Sequence, residues 1–449
     1  MVGSMRILLP LLIVCLLLNA GESAGREMKN MSTPHPLVRL TRPISSAVLT
    51  SCPDQLGNCI TPQIMRESYG IDSLIKRGFT GKGQTVIDVV SFGSPTLQQD
   101  MDIFDQTFNL PPVNLRVISP LNNTPKQGSS KDQQGWAEEA ELDVQVIHAL
   151  APGANIIVLQ SPVSETEGIV GLPEYRQLEQ YIIDHKLGYI VSQSWGASEL
   201  TLQDSQCRQE LRRWENLFKQ GTLKYHVTYF SSSGDSGATD AIDANGDLAK
   251  VPTTSFSPDS PWVTSVGGTS LHLIGSARTG VSVSETAWSD PGDGSGSGGG
   301  FSRFYRMPSY QKLLPVATQQ QFKNRRGVPD VSADADPETG LAIYELSQWT
   351  LGGGTSASAP VWAAITAIAN QMARHPLGFL NPGLYKLAAS RTYGRDFHEI
   401  TQGNNDNLVA GVKGYSAALG WNAVTGLGSP NAANLIPDLI AAMRTSPSN

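Results

Sequence analysis

The stretch Gly352–Pro360, GGGTSASAP, closes a short apolar run, WTLGG, and leads straight into VWAAITAIANQM. In that second segment Val361, Ile365, Ile368 and Met372 recur at the spacing of one helix face, so the passage reads as strand, glycine turn and helix. With Ser358 as the expected N-cap, Pro360 falls in the first turn, where a missing N–H is tolerated. Ser356 then stands at a helix N-terminus, where unpaired N–H groups and the helix dipole favour negative charge. Such a serine is either a nucleophile or one of several small residues that a tight turn requires.

Working outward, apolar β-branched runs recur at TVIDVV (85–90), NIIVL (155–159), GYIVS (188–192), HVTYF (226–230) and WVTSV (262–266), with helix-like stretches between them. Strand and helix in alternation predict an α/β fold with a mainly parallel central sheet and helices on both faces, in one large domain. The segment GDGSGSGGG (292–300) is the one low-complexity run, and it is expected to be a flexible loop within that domain.

The chain has 33 Lys and Arg against 40 Asp and Glu, a net charge of -7, and no long basic run, which argues against nucleic-acid binding. At the N-terminus Met5-Arg6, the apolar run 7–18 and the small residues of NAGESAG follow the order of a secretory signal, so residues 1–24 are expected to direct export. The run is shorter than the roughly 20 residues of a membrane span, so no stable membrane anchoring is expected. Residues 25–60 read as a polar N-terminal extension, and 61–449 as the main domain. Cys52 and Cys59 bracket a short loop that a disulfide can close in an oxidising compartment, while Cys207 is expected to be buried and inert. No Cys/His cluster suggests zinc.

A serine nucleophile needs a base. None of the seven histidines has a recognisable catalytic setting, which turns attention to carboxylates. In the helix pattern GWAEEAELDVQVIHALAPGA, Glu139 and Asp143 are four residues apart and share a face. Carboxylates so placed can share a proton and orient one another toward a serine; the alternative is a solvated acidic face that also includes Glu138 and Glu141. Asp235, in SSGDSG directly after a strand, is either a turn residue or a protonated donor to an oxyanion. Trp195, in SQSWG, either lines the same cleft or packs in the core.

Taken in order, TPQIMRESYGI (61–71), EAELDVQ, LAPGANI, SQSWG, SSGDSG, PWVTSVGGTSL, GGGFSRFY, GVPDVSADADPETG, GGGTSASAP and GWNAVTGLGSPN resemble one family, the sedolisins or serine-carboxyl peptidases. The resemblance implies a subtilisin-like fold with Ser356 as nucleophile, Glu139 as base, Asp143 as its partner and Asp235 in the oxyanion hole. It implies a secreted endopeptidase acting on proteins or peptides at acid pH, with no cofactor required for the chemistry. Two alternatives stand beside it: a tripeptidyl exopeptidase of the same family, and a non-catalytic secreted binding protein on the same scaffold.

Three departures from the family's pattern bear on function. Members commonly carry a structural calcium on an FHDIT-like segment and a GxGWD-like loop; here these read FHEIT and ALGWN, giving Glu399, Ile400, Ala418, Gly420 and Asn422 as a site that can still hold one structural calcium but is weakened by the loss of one negative charge. Members are usually made with a large prodomain, for which the segment ahead of the core is too short, so a separately encoded prodomain-like chain or control by pH alone is expected. Relatives often have an acid at the end of the first core strand, where this chain has Val90, with Asp88 two residues earlier on the same side as a candidate for that role and for the cleft.

Overall fold

The computed structural model describes residues 59–444, apart from 244 and 277–279, together with a two-residue strand near the N-terminus. That strand is β1 (Arg39–Leu40), and the expected signal segment 1–24 lies outside the described residues. The principal strands that follow are β2 (Thr85–Ser91), β3 (Asn114–Ile118), β4 (Asn155–Ser161), β5 (Ile190–Gln193), β6 (Thr228–Ser232), β7 (Thr264–Ser276), β8 (Gly280–Ala287), β9 (Val331–Asp334), β10 (Leu341–Glu345) and β11 (Gln348–Gly353). The principal helices are α1 (Leu97–Phe108), α2 (Ser130–Leu150), α3 (Leu172–His185), α4 (Ser205–Tyr225), α5 (Thr355–Ala373), α6 (Asn381–Ala388) and α7 (Ala432–Arg444).

The central sheet has the order β8-β7-β6-β5-β2-β4-β3, with β9 added beside β7. All of its pairings are parallel except that of β8 with β7. β2 and β4 are nearly continuous runs of buried apolar residues, as strands covered on both faces must be. One face carries α2 and α5, which also pack on each other, and the opposite face carries α3 and α4. The five strands expected from the sequence all lie in this sheet; β3, β8 and β9 extend it at its edges.

α5 is apolar almost all round and buried along its length except at Gln371 and Met372, the signature of a helix inside the molecule. Its alanines let α2 and the sheet approach closely. α2 begins in a capping box, with Ser129 Oγ accepting from Asp132 N–H and the Asp132 carboxylate accepting from Ser129 N–H. Further along, its acids are not solvated. Glu139, Glu141 and Asp143 are all buried, which overturns the exposed acidic face as an account of them.

Two other expectations give way. Residues 294–300 of the glycine-rich run are buried, and Ser295–Gly296 pairs in register with Ser289–Asp290. Backbone packing, not looseness, explains the glycines: a Cβ at Gly298 would stand 2.2 Å from Ser233 O, and one at Gly299 2.1 Å from Ala423 O. α5 also starts three residues before Ser358, which lies within the first turn and donates to Ala333 O and Asp334 O, each at 3.0 Å. Pro360 is therefore inside the helix.

Candidate active site

The carboxylates of α2 meet the sheet at β2. Asp88, Glu139 and Asp143 are each fully buried, at a cost in solvation that proteins seldom bear without a use for the charge or proton. Burial, chiefly, pushes the Asp88 carboxyl up to about 8; the nearby Glu139 charge also raises it, while bonding to Asp143 pulls the other way. Asp143 is pushed well above the usual carboxylate range, by burial first and then by the Asp88 charge beside it. Two acids this close hold a proton between them that an exposed pair would release. The i, i+4 pair of the sequence thus becomes a group of three, with Asp88 of β2 alongside Asp143 and facing Glu139.

Ser194, directly after β5, joins this group to the helix that bears Ser356. Its Oγ lies 2.9 Å from Asp143 Oδ1 and 3.4 Å from the Ser356 carbonyl oxygen. That carbonyl needs an outside donor because its partner four residues on is Pro360, which has no N–H. The proline interior to α5 therefore has a local explanation. Ser356 Oγ itself is buried and makes no hydrogen bond to any of the described residues. It sits at the second helical position, where the end of the helix dipole favours negative charge. The turn from β11 into α5 is made by Gly354 at φ 86°, a left-handed conformation that suits glycine.

Asp235 lies in the loop after β6, at the carboxyl ends of the parallel strands, where sheets of this kind place their sites. Its Oδ1 accepts from Thr355 N–H and Thr355 Oγ, both at 2.8 Å. Gly234 N–H also reaches Thr355 Oγ1, at 3.1 Å, so the loop is fastened to the start of the helix. The buried glycine segment backs the loop from the other side. Gly296 N–H donates to Asp235 O at 2.9 Å, Gly298 N–H to Gly234 O at 2.7 Å, and Ser233 Oγ to Gly298 O at 2.7 Å. Sequence reasoning missed this second support, because glycine-rich composition carries no sign that separates a close-packed backbone from a linker.

Trp195 is fully buried, with ring centroids 4.9 Å from Tyr175 and 5.6 Å from Trp214, in an aromatic cluster between sheet and helices. His148 is likewise a buried core residue, with Nε2 2.8 Å from Pro111 O and 3.1 Å from Asp105 Oδ1. Cys59 is disulfide-bonded and Cys207 is free and buried; Cys52, the expected partner of Cys59, lies outside the described residues. Near the C-terminus, Glu399 Oε2 accepts from Gly420 N–H at 2.9 Å. Asn422 Nδ2 donates to Ala418 O at 3.1 Å and Ile400 O at 3.5 Å.

A mainly parallel sheet in this order, with a serine at the head of a buried central helix and acids on the neighbouring one, has the subtilisin-like architecture of serine-type peptidases. No family model matches the chain. Kumamolisin from a Bacillus species is 32% identical over 420 residues, covering 93% of this chain and 70% of the relative. Tripeptidyl-peptidase sed1 of Aspergillus fumigatus is 32% identical over 478 residues, covering 90% of this chain and 68% of the relative. Among solved structures, Pseudomonas sedolisin (serine-carboxyl proteinase), complexed with two molecules of pseudo-iodotyrostatin, superposes with a TM-score of 0.69 at 26% identity, covering 85% of this chain and 98% of that one. The chain belongs to the sedolisin family of serine-carboxyl peptidases.

Proposed function

We propose that this protein is a secreted endopeptidase acting at acid pH, with Ser356 as nucleophile. The observation that carries the reading is the bridge made by Ser194, which brings the Asp143 carboxylate and the backbone of Ser356 to one hydroxyl. In the proposed cycle Ser356 Oγ attacks the scissile carbonyl while Glu139 takes its proton. The oxyanion so formed accepts a hydrogen bond from protonated Asp235, which Thr355 holds in place through its Oδ1. Protonated Glu139 then passes its proton to the departing amine, and water repeats the steps on the acyl-enzyme. Asp143 orients Glu139, with Asp88 sharing the proton behind it.

Acid action is supported by the buried acids whose carboxyls are raised on folding, since each favours the native state at low pH and loses that contribution as pH rises. Besides Asp88 and Asp143, burial raises Glu141 and Glu345 to about 8 and Glu179, Glu165, Asp259 and Asp334 well above the usual range. Secretion is supported by the signal-like N-terminus, and no helix among the described residues is long and apolar enough to cross a membrane. The test is cleavage of an unstructured protein across a pH series by the wild type, Glu139→Gln and Ser356→Ala. An acid maximum that both variants lose is the expected result; wild-type turnover by Ser356→Ala would remove the mechanism.

A second reading, removal of tripeptides from free N-termini, is favoured by the name of the Aspergillus relative. A peptide with an acetylated N-terminus separates the two, since an endopeptidase cuts it internally and a tripeptidyl peptidase leaves it whole.

A further inference from the structure

The segment that corresponds to the family's calcium site is joined here by hydrogen bonds of Glu399 and Asn422. Calcium takes six to eight oxygen ligands at about 2.3–2.6 Å, and carboxylates supply much of its affinity. The donor set in this chain does not fit. At Asn422 the orientation of the amide is fixed by its surroundings, because Oδ1 accepts from Val424 N–H (3.1 Å), Thr425 N–H (2.9 Å) and Thr425 Oγ (3.2 Å). Turning the amide over would set its NH2 against the two backbone donors. Nδ2 must therefore face the Ile400 and Ala418 carbonyls, the oxygens that a cation would need. A group with two N–H donors stands where a further oxygen ligand is required, and it repels a cation. One oxygen of Glu399 is also already engaged, by Gly420 N–H.

We propose that Asn422 replaces the cation: its amide draws together the two carbonyls that calcium would otherwise hold, and the loop is stable without metal. The loop so closed is part of the frame of the active site. Trp421 Nε1 donates to Pro329 O at 2.9 Å and Leu427 N–H to Asp330 O at 2.8 Å, immediately before β9. Ser297 Oγ, which accepts from Gly268 N–H of β7, donates to Val424 O at 2.7 Å. β7 and β9 both pack under α5, so closure of this loop braces the sheet under Ser356 whatever the supply of divalent ions.

The test is thermal unfolding of the purified full chain with millimolar calcium or with excess EGTA, beside calorimetric titration with calcium. The wild type is expected to melt at the same temperature in both solutions and to give no binding heat. In Asn422→Asp the two N–H donors become a carboxylate oxygen facing carbonyl oxygens; this variant is expected to melt lower in EGTA and to recover several degrees on adding calcium. A rise of several degrees for the wild type in calcium would overturn the proposal. So would an Asn422→Asp variant that melts as the wild type does and ignores calcium, since Asn422 would then not be the residue that replaces the ion.

Discussion

Replacing Asp88 by Asn tests the group of buried acids through stability, without reference to turnover. Asp88 rises from the ordinary aspartate value of 3.8 to about 8 in the folded protein, mainly through burial. Between those values the native state holds a proton that the unfolded chain has released, so rising pH favours unfolding. This contribution is fully present below about pH 4 and is lost as pH climbs toward 8. Asn cannot titrate, so the variant lacks this part of the slope, while the other buried acids keep theirs. A shift of about four pH units at about 1.4 kcal/mol each amounts to on the order of 5 kcal/mol. Relative to wild type, the Asp88→Asn variant should therefore gain steadily from pH 4 to pH 8, by up to about that amount, on top of a constant offset of about 1 kcal/mol for exchanged hydrogen bonds. The assay is urea unfolding at several pH values, followed by tryptophan fluorescence, with Ser356→Ala in both proteins to prevent self-digestion. Parallel stability curves for the two proteins would refute the reasoning, because they would mean that Asp88 binds no extra proton on folding.

Thr355→Val keeps the N–H bond to Asp235 but removes the hydroxyl at 2.8 Å; steady-state kinetics should show kcat lower by roughly tenfold with KM little changed, as for a lost bond of about 1.4 kcal/mol. Gly298→Ala would drive a Cβ to 2.2 Å from Ser233 O, whereas Gly292→Ala meets nothing nearer than Asp290 Oδ1 at 3.2 Å; the first should lose most activity and the second little, measured side by side on one peptide. Arg326 is fully buried against Asp330, with Nη1 and Nη2 at 2.7 and 2.5 Å from its two carboxylate oxygens. Arg326→Met removes the counter-charge and leaves that buried carboxylate only the neutral donors Ser265 N–H, Tyr385 OH and Asn381 Nδ2; it should lower stability by about 3–5 kcal/mol in the same unfolding assay.

Periodicity carried much of this molecule into view before any coordinates. The i, i+4 spacing of Glu139 and Asp143, the glycine turn ahead of Ser356 and the strand-end position of Asp235 are all local patterns, and each belongs to the candidate site. What pattern does not express is which distant segments meet. Asp88 is readable as an acid in an apolar strand, but its pairing with Asp143 depends on how α2 crosses β2. Trp195 follows a strand in the same way as Asp235, yet its ring is drawn into the aromatic core because a large apolar side chain gains more there. Pro360 misled the placement of the helix start, since a proline that frees a carbonyl for an outside donor looks, in sequence, like one that begins a helix. The exchange of Asp for Asn at position 422 is legible as a lost charge; that the amide turns its N–H groups to two carbonyls is a matter of geometry alone.

The glycine segment behind Asp235 has a consequence for the energy of reaction. Thr355 holds the loop from the side of α5, and the backbone of 296–298 holds it from the other. Water around a newly formed charge must first reorient, and that reorganisation forms part of the barrier in solution; a dipole already fixed in direction avoids it. With no room for a methyl group between Gly298 and Ser233, the Asp235 loop has little freedom to adjust, and in the proposed cycle the carboxyl meets charge developing opposite it already aligned. The most flexible residue type in the chain is used here to make the peptide wall around the site rigid.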